Sequence, residues 1–159
     1  MSRGPAEPVP PPPADLAARA LPLAELAAGT QLHRIHRSVH GPLHFSRGPG
    51  RFDSPAGHFG VLYAALGFSG AFAETLLRNP ARRLVSLREV EARSLALLTL
   101  PRAARLVDLS GPGLSALGLD ARLLSGPYDP CGAWAAALYT HPAAPDGLLY
   151  PSRFDPAEA

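Results

Sequence analysis

Lysine is missing from this chain of 159 residues, so all 15 side chains counted as Lys plus Arg are arginine. Isoleucine occurs once, at Ile35, and cysteine once, at Cys131. A single cysteine excludes an internal disulfide and fits a reducing compartment. No apolar run reaches the length of a membrane span, and no basic stretch followed by an apolar block opens the chain. Neither a transmembrane helix nor a secretion signal is therefore expected, and the cytoplasm is the default location. The formal net charge of +2 is too small and too scattered for a nucleic-acid surface. Absent too are a GxxxxGK[ST] loop and a GxGxxG placed between a strand and a helix, which argues against a kinase, an NTPase or a Rossmann oxidoreductase.

What is present is a globular composition, with 47% hydrophobic and 18% charged residues in a length that suits one domain. Ala, Pro, Gly and Arg are abundant, with the bias of a GC-rich coding sequence, so the number of arginines carries little weight by itself. Residues 1–28 read as a Pro/Ala-rich leader, extended and mobile, followed by a short helix after Pro22 that Gly29 ends. From residue 29 to 159 the pattern is that of a folded domain. Gln31 to Arg37 reads as a strand with Leu32, Arg34 and His36 on one face; neither face is cleanly apolar, so the strand borders a cleft. His40 to Gly57, dense in Gly, Pro and Ser, reads as an ordered loop of functional length.

A strand over His58 to Leu66 leads to a helix capped by Ser69, striped by Phe72, Ala73, Leu76 and Leu77, and stopped by Pro80. Three strand-like segments follow, at Arg83 to Leu87, Ser94 to Leu100 and Arg105 to Leu109. GPGLSALG reads as a turn and short helix. Asp129 to His141 is a stronger helix with Trp134, Leu138 and Ala137 facing inward, and Leu148 to Tyr150 is a last short strand.

Glu74 stands among apolar neighbours, where an ionised carboxylate is costly unless a cation or donor meets it. Arg34 and Arg51 are the candidates to meet it, and with Tyr63 and Ser152 they are expected to line one pocket. A guanidinium fork fits phosphates or a carboxylate, although Arg34 equally reads as a strand arginine with its head in solvent and Arg51 as a loop charge. Glu74 can orient a reacting group or pair with Arg78 at i,i+4. Tyr63 can stack on a planar ring or pack at a core edge, and Ser152 can hydrogen-bond a ligand or hold a turn. YPSR lacks a nucleophile-elbow pattern, so Ser152 is not read as a hydrolase nucleophile. His33, His36, His40 and His44 have no Cys or acidic cluster beside them, and no metal is expected.

Four pieces, LHRIHR, HFSRGPGRFDSPAG, VLYAALGFSGAFAE and DGLLYPSR, resemble in order and spacing the RES-domain family, named for an Arg, a Glu and a Ser. The resemblance spans Gln31 to Arg153. It implies an α+β, ADP-ribosyltransferase-like mixed domain with a split central β-sheet flanked by short helices around an NAD cleft. It implies an NAD-degrading enzyme that cleaves the nicotinamide–ribose bond by hydrolysis or phosphorolysis. NAD would then be substrate rather than cofactor, with inorganic phosphate as a possible co-substrate. The enzyme would be the toxin of a type II toxin–antitoxin pair, and its partner a cognate antitoxin with a DNA-binding domain. Carried over position by position, the resemblance marks Glu74, Arg34 and Ser152 as catalytic, and Arg34, Arg51, Tyr63 and Ser152 as substrate-binding. Ile35 stands where the family often has an aromatic. Family members usually continue past the YPSR-like motif, so a stop at Ala159 reads as a truncated C-terminus. ADP-ribosyl transfer to a macromolecule and an inactive NAD-binding module are the alternatives.

Overall fold

The computed structural model describes residues 7–78 and 84–152. It is a mixed α+β fold whose five strands fall into two sheets. The first sheet takes β1 (Leu23–Leu26), β4 (Ala104–Asp108) and β5 (Gly147–Leu149) in the order β1-β4-β5, with β4 antiparallel to β1 and parallel to β5. The second is the hairpin-like pair β2 (Gln31–Arg37) and β3 (Arg93–Thr99), in register from Gln31 opposite Thr99 to Arg37 opposite Arg93. Among the described residues the α-helices are α1 (Phe68–Leu76), α2 (Leu87–Glu91), α3 (Gly111–Ala116), α4 (Arg122–Ser125) and α5 (Asp129–Tyr139), with a short 3-10 turn at Leu16–Ala18. The split sheet flanked by short helices is the architecture expected from the sequence.

The main core lies where the first sheet meets α3, α4 and α5. Trp134, Leu109, Leu123, Leu138, Val107 and Cys131 are its fully buried side chains. Trp134 and Leu138 of α5 face inward as their spacing predicts, and Ala137 packs partly buried against the same cluster. Trp134 Nε1 donates to the Pro10 carbonyl at 2.9 Å, Val9 packs on the core, and Arg122 donates to the Glu7 carbonyl. Residues 7–14 therefore strap the helical layer instead of trailing as a mobile leader, because Trp134 needs a buried partner for its N–H.

Several local expectations gave way to tertiary pairing. The segment after Pro22 is strand β1 and not a helix. Its short apolar run fits either period, and the open edge of β4 takes it, the Asp108 N–H also reaching the Pro22 carbonyl at 2.8 Å. His58 to Leu66 is not a continuous strand; it touches its neighbours through two isolated bridges, Ser46 with Val61 and His33 with Ala65. Gly67, not Ser69, caps α1. Leu77, expected on the apolar stripe, is exposed, while Gly70, Ala71 and Ala73 are the buried residues of α1. Ser86 and Glu89 form a reciprocal capping box that opens helix α2, so Leu84 to Leu87 is not a strand. Pro80 and Arg83 lie outside the described residues. α4 was missed; it begins where the Asp120 carboxylate accepts the Arg122 N–H, and it ends at Gly126.

Close approach dictates one glycine. A Cβ on Gly113 would sit 1.9 Å from the Asp108 carbonyl oxygen, whereas one on Gly111, two residues earlier, would meet nothing within 4 Å. Gly113→Ala should therefore destabilise the fold by about 1–3 kcal/mol, the usual range for overpacking, and Gly111→Ala should be near neutral. Chemical denaturation of the two variants side by side checks this, and equal midpoints would contradict it.

Candidate functional site

Between β2, α1 and the loop that joins them lies a cavity of about 430 Å³. Arg34, Arg51, Tyr63 and Glu74, four of the five residues expected to share a pocket, line it. Ser152, the fifth, is buried behind Glu74 and lines an adjoining, more apolar cavity of about 580 Å³. Tyr63, Glu74 and Tyr150 belong to the wall between the two.

The loop is shaped by Asp53, which sequence reasoning passed over. Its buried carboxylate accepts the Tyr63 hydroxyl at 2.9 Å, the Gly50 N–H at 2.9 Å and the Ser46 hydroxyl at 3.2 Å. The Tyr63 oxygen in turn accepts the Phe52 N–H at 2.9 Å. Space here is tight: a Cβ on Gly50 would lie 2.6 Å from the Tyr63 hydroxyl. The phenol is thus fixed at its tip, while the Tyr63 residue lines the cavity. An Asp three residues after a Gly-Pro-Gly turn was the available signal, since Asx side chains commonly bond backbone N–H groups nearby.

Arg34 projects from β2 and bridges both ends of this loop, donating to the Tyr63 carbonyl at 3.0 Å and to the His44 carbonyl at 2.7 Å. That explains why residues 58–66 do not ladder onto β2: the guanidinium takes a carbonyl that a strand partner would have used. Its Nε is buried with no hydrogen-bond partner among the described residues, and burial holds the guanidinium below its ordinary range. A half-buried cation with a spare donor on a cavity wall favours an anionic ligand. Arg51 is also committed to backbone, donating from Nη1 to the Leu123 and Gly126 carbonyls at 3.2 and 2.9 Å. Its guanidinium carbon lies 4.4 Å from the Tyr128 ring centre. Both arginines are therefore loop clamps as well as cavity lining.

Glu74, half-buried on α1, accepts the Ser152 hydroxyl at 2.6 Å, within the short range of charge-assisted O–H···O bonds. The expected ion pair with Arg34 or Arg51 is not formed, nor is the alternative with Arg78; the ion pairs among the described residues are Arg19–Asp15, Arg102–Asp146 and Arg122–Asp120. Glu74 is held by a neutral donor and joins no ion pair among the described residues. Tyr150, also missed, tilts onto Phe52 at 5.1 Å; burial first, and the Glu74 charge second, push its phenol up. His33, His36, His40 and His44 all line this cavity and form no metal-holding cluster among the described residues; His40 and His44 stack at 4.2 Å. Ile35, which stands where the family often has an aromatic, pairs with Leu95 across the ladder and lines the cavity. Among the described residues no helix is long and apolar enough to cross a membrane.

Burial, and then the Asp53 carboxylate, hold the Tyr63 phenol above its ordinary value of about 10. Above that pH the unfolded chain releases a proton that the folded chain retains, so stability is full below about 10 and falls as pH rises. Between pH 10 and 12 the wild type should lose up to about 1.4 kcal/mol per pH unit through this residue. Tyr63→Phe should show a shallower alkaline slope in urea melts taken across that range. An unchanged slope would sever Tyr63 from this role.

Comparison with known proteins gives a consistent picture. The family model described as RES domain matches residues 31–159. No curated protein matches. Among solved structures the fold is similar to a chain in the crystal structure of the M. tuberculosis MbcT–MbcA toxin–antitoxin complex, with a TM-score of 0.67 and 20% identity. The match covers 82% of this chain and 73% of that one.

Proposed function

The chain belongs to the RES-domain family, and on that basis we propose that it degrades NAD by breaking the nicotinamide–ribose bond, as the toxin of a type II toxin–antitoxin pair. The observation that carries this reading is a carboxylate, Glu74, locked by Ser152 at 2.6 Å on the wall of a cavity whose other charged lining is arginine. NAD asks for that combination: cations for the pyrophosphate and a fixed negative charge beside the ribose.

Cleavage moves the electron pair of the C1–N bond onto nicotinamide, which leaves neutral, and builds positive charge on the ribose. In this reading Glu74 lies against that developing charge, and Ser152 is the positioning residue that keeps its carboxylate from turning away. Arg34, with its spare Nε–H, and Arg51 bind the pyrophosphate, while the Tyr63 ring provides a flat wall for nicotinamide. Attack by water yields ADP-ribose and a proton; attack by inorganic phosphate yields ADP-ribose phosphate. The similarity to a chain of a toxin–antitoxin complex supports an antitoxin as the protein partner, which in this reading covers the cleft and carries its own DNA-binding part.

Preorganised charge of this kind is commonly worth ~10²–10³ in rate. Glu74→Gln should lower NAD consumption by that order with the thermal midpoint little changed. Ser152→Ala should give a smaller loss, carried mainly in kcat. Chromatography of NAD, nicotinamide and ADP-ribose products, with and without phosphate, checks both; a well-folded Glu74→Gln protein at wild-type rate would sink the assignment.

A further inference from the structure

Strand β3 bonds to β2 on one side and, among the described residues, to no strand on the other. The ladder fixes which groups face the open side. Ser38 N–H donates to the Ala92 carbonyl at one end and Leu100 N–H to the Thr30 carbonyl at the other, each at 2.9 Å. Bonded pairs alternate along an antiparallel ladder, so Ser94, Ala96 and Leu98 direct their backbone groups to β2. Arg93, Leu95, Leu97 and Thr99 therefore aim their N–H and C=O outward, with no backbone partner among the described residues. The side chains of Leu95 and Leu97 stand on the sheet face opposite Arg34, 53% and 57% exposed. Open edges are commonly blunted by charge, proline or a bulge. β3, RSLALLT, has one charge, at its first residue, no proline and an unbroken register. The outer strands of the other sheet are shorter: β1 has four residues and carries Glu25, and β5 has three. Helix α2, which leads into β3, leaves Leu87 and Val90 exposed as well.

We propose that β3 pairs antiparallel with β3 of a second copy of this chain, joining two β2–β3 sheets into one sheet of four strands. The strand is complementary to itself. A two-fold axis at Ala96, the middle of β3, sets Leu95 opposite the partner's Leu97 and Arg93 opposite the partner's Thr99. Every outward N–H then meets an outward C=O, apolar side chains meet apolar ones, and no like charges face each other. Moving the axis to Leu95 or Leu97 leaves one outward residue beyond the end of the partner strand. An axis between two residues sets outward groups against inward ones. Main-chain bonds supply the affinity of such a seam, and the alternating leucines supply its register. The far edge of β2 is taken differently, by the His33–Ala65 bridge and by Arg34 clamping the loop at the cavity. Each cavity thus borders the strand edge away from the seam, and the pairing stands apart from the NAD reading.

Sedimentation of the full chain between ~1 and ~300 µM, a range that brackets the affinities of small interfaces, should show one reversible step from monomer to dimer. Leu97→Lys puts a charge on the seam twice per dimer and should weaken association about tenfold or more. Its thermal midpoint in dilute solution should stay at the wild-type value, because the side chain is exposed in the single chain. Val39→Lys, an equally apolar and more exposed position outside β3, should leave association unchanged. Register is read by mixing Leu95→Cys chains with Leu97→Cys chains. Bonded antiparallel pairs bring Cα atoms to about 5.5 Å, within disulfide reach. Under mild oxidation the mixture should cross-link faster than either chain alone, the native Cys131 being buried. A chain that stays monomeric throughout the range overturns the proposal and leaves the edge for a strand of a different protein. So does a dimer indifferent to Leu97→Lys, or weakened as much by Val39→Lys. Cross-linking as fast in the separate chains as in the mixture overturns the axis at Ala96 and the pairing built on it.

Discussion

The hydrogen bond from Ser152 to Glu74 reaches across the split in this fold. Glu74 belongs to α1, which packs on the β2–β3 sheet, and Ser152 follows β5 of the other sheet. Seventy-eight positions separate them in sequence, so the bond forms only when both halves are assembled. Because the donor is a neutral hydroxyl, the carboxylate is fixed without losing its charge. A salt bridge in its place would have fixed the side chain equally well and cancelled the property a site needs.

The arginines show the complementary arrangement. Arg34 and Arg51 donate to backbone carbonyls, holding the loop between β2 and α1 and tying it to the turn between α4 and α5. Carbonyls order a guanidinium while leaving its full unit charge. Cations held in this manner stay rigid and electrostatically unsatisfied, which is the condition for recognising an anion rather than for stabilising a fold. Asp53 contributes to the same end from a different direction, since it tightens the loop through neutral donors: the Tyr63 hydroxyl, the Ser46 hydroxyl and the Gly50 N–H.

What could be read from the residues, and what could not, follows from this division. Strand β2, the α5 helix and the pocket residues Arg34, Arg51, Tyr63 and Glu74 were legible because each stands in a distinct local pattern or in a motif with strong family resemblance. Ser152 was legible by the same resemblance, although its seat behind Glu74 was not. β1 was misread because LPLAELAA satisfies a helix locally, and only the edge of β4 decides otherwise. The Leu84 to Leu87 error was avoidable, since SLRE is a capping box in plain view. Asp53 and Tyr150 were passed over for a different reason: their roles are set by contacts with Tyr63, Phe52 and Glu74 that no short window contains.

The charge balance of the cavity is the point at which sequence and structure differ most. By count, the chain carries only a small net charge, and arginine abundance was set aside as compositional bias. Folding sorts those charges. Arg19, Arg102 and Arg122 pair with acids at the surface, whereas Arg34, Arg37, Arg51, Arg78 and Arg93 line one cavity with Glu74 as its acid. Arg34, Arg51 and Arg93 are only partly exposed there, so gathering their charges opposes folding, and the core around Trp134 and the loop network on Asp53 offset it. A composition bias would scatter arginine at random over the surface. Composition alone does not account for five arginines gathered around one carboxylate in a single cavity.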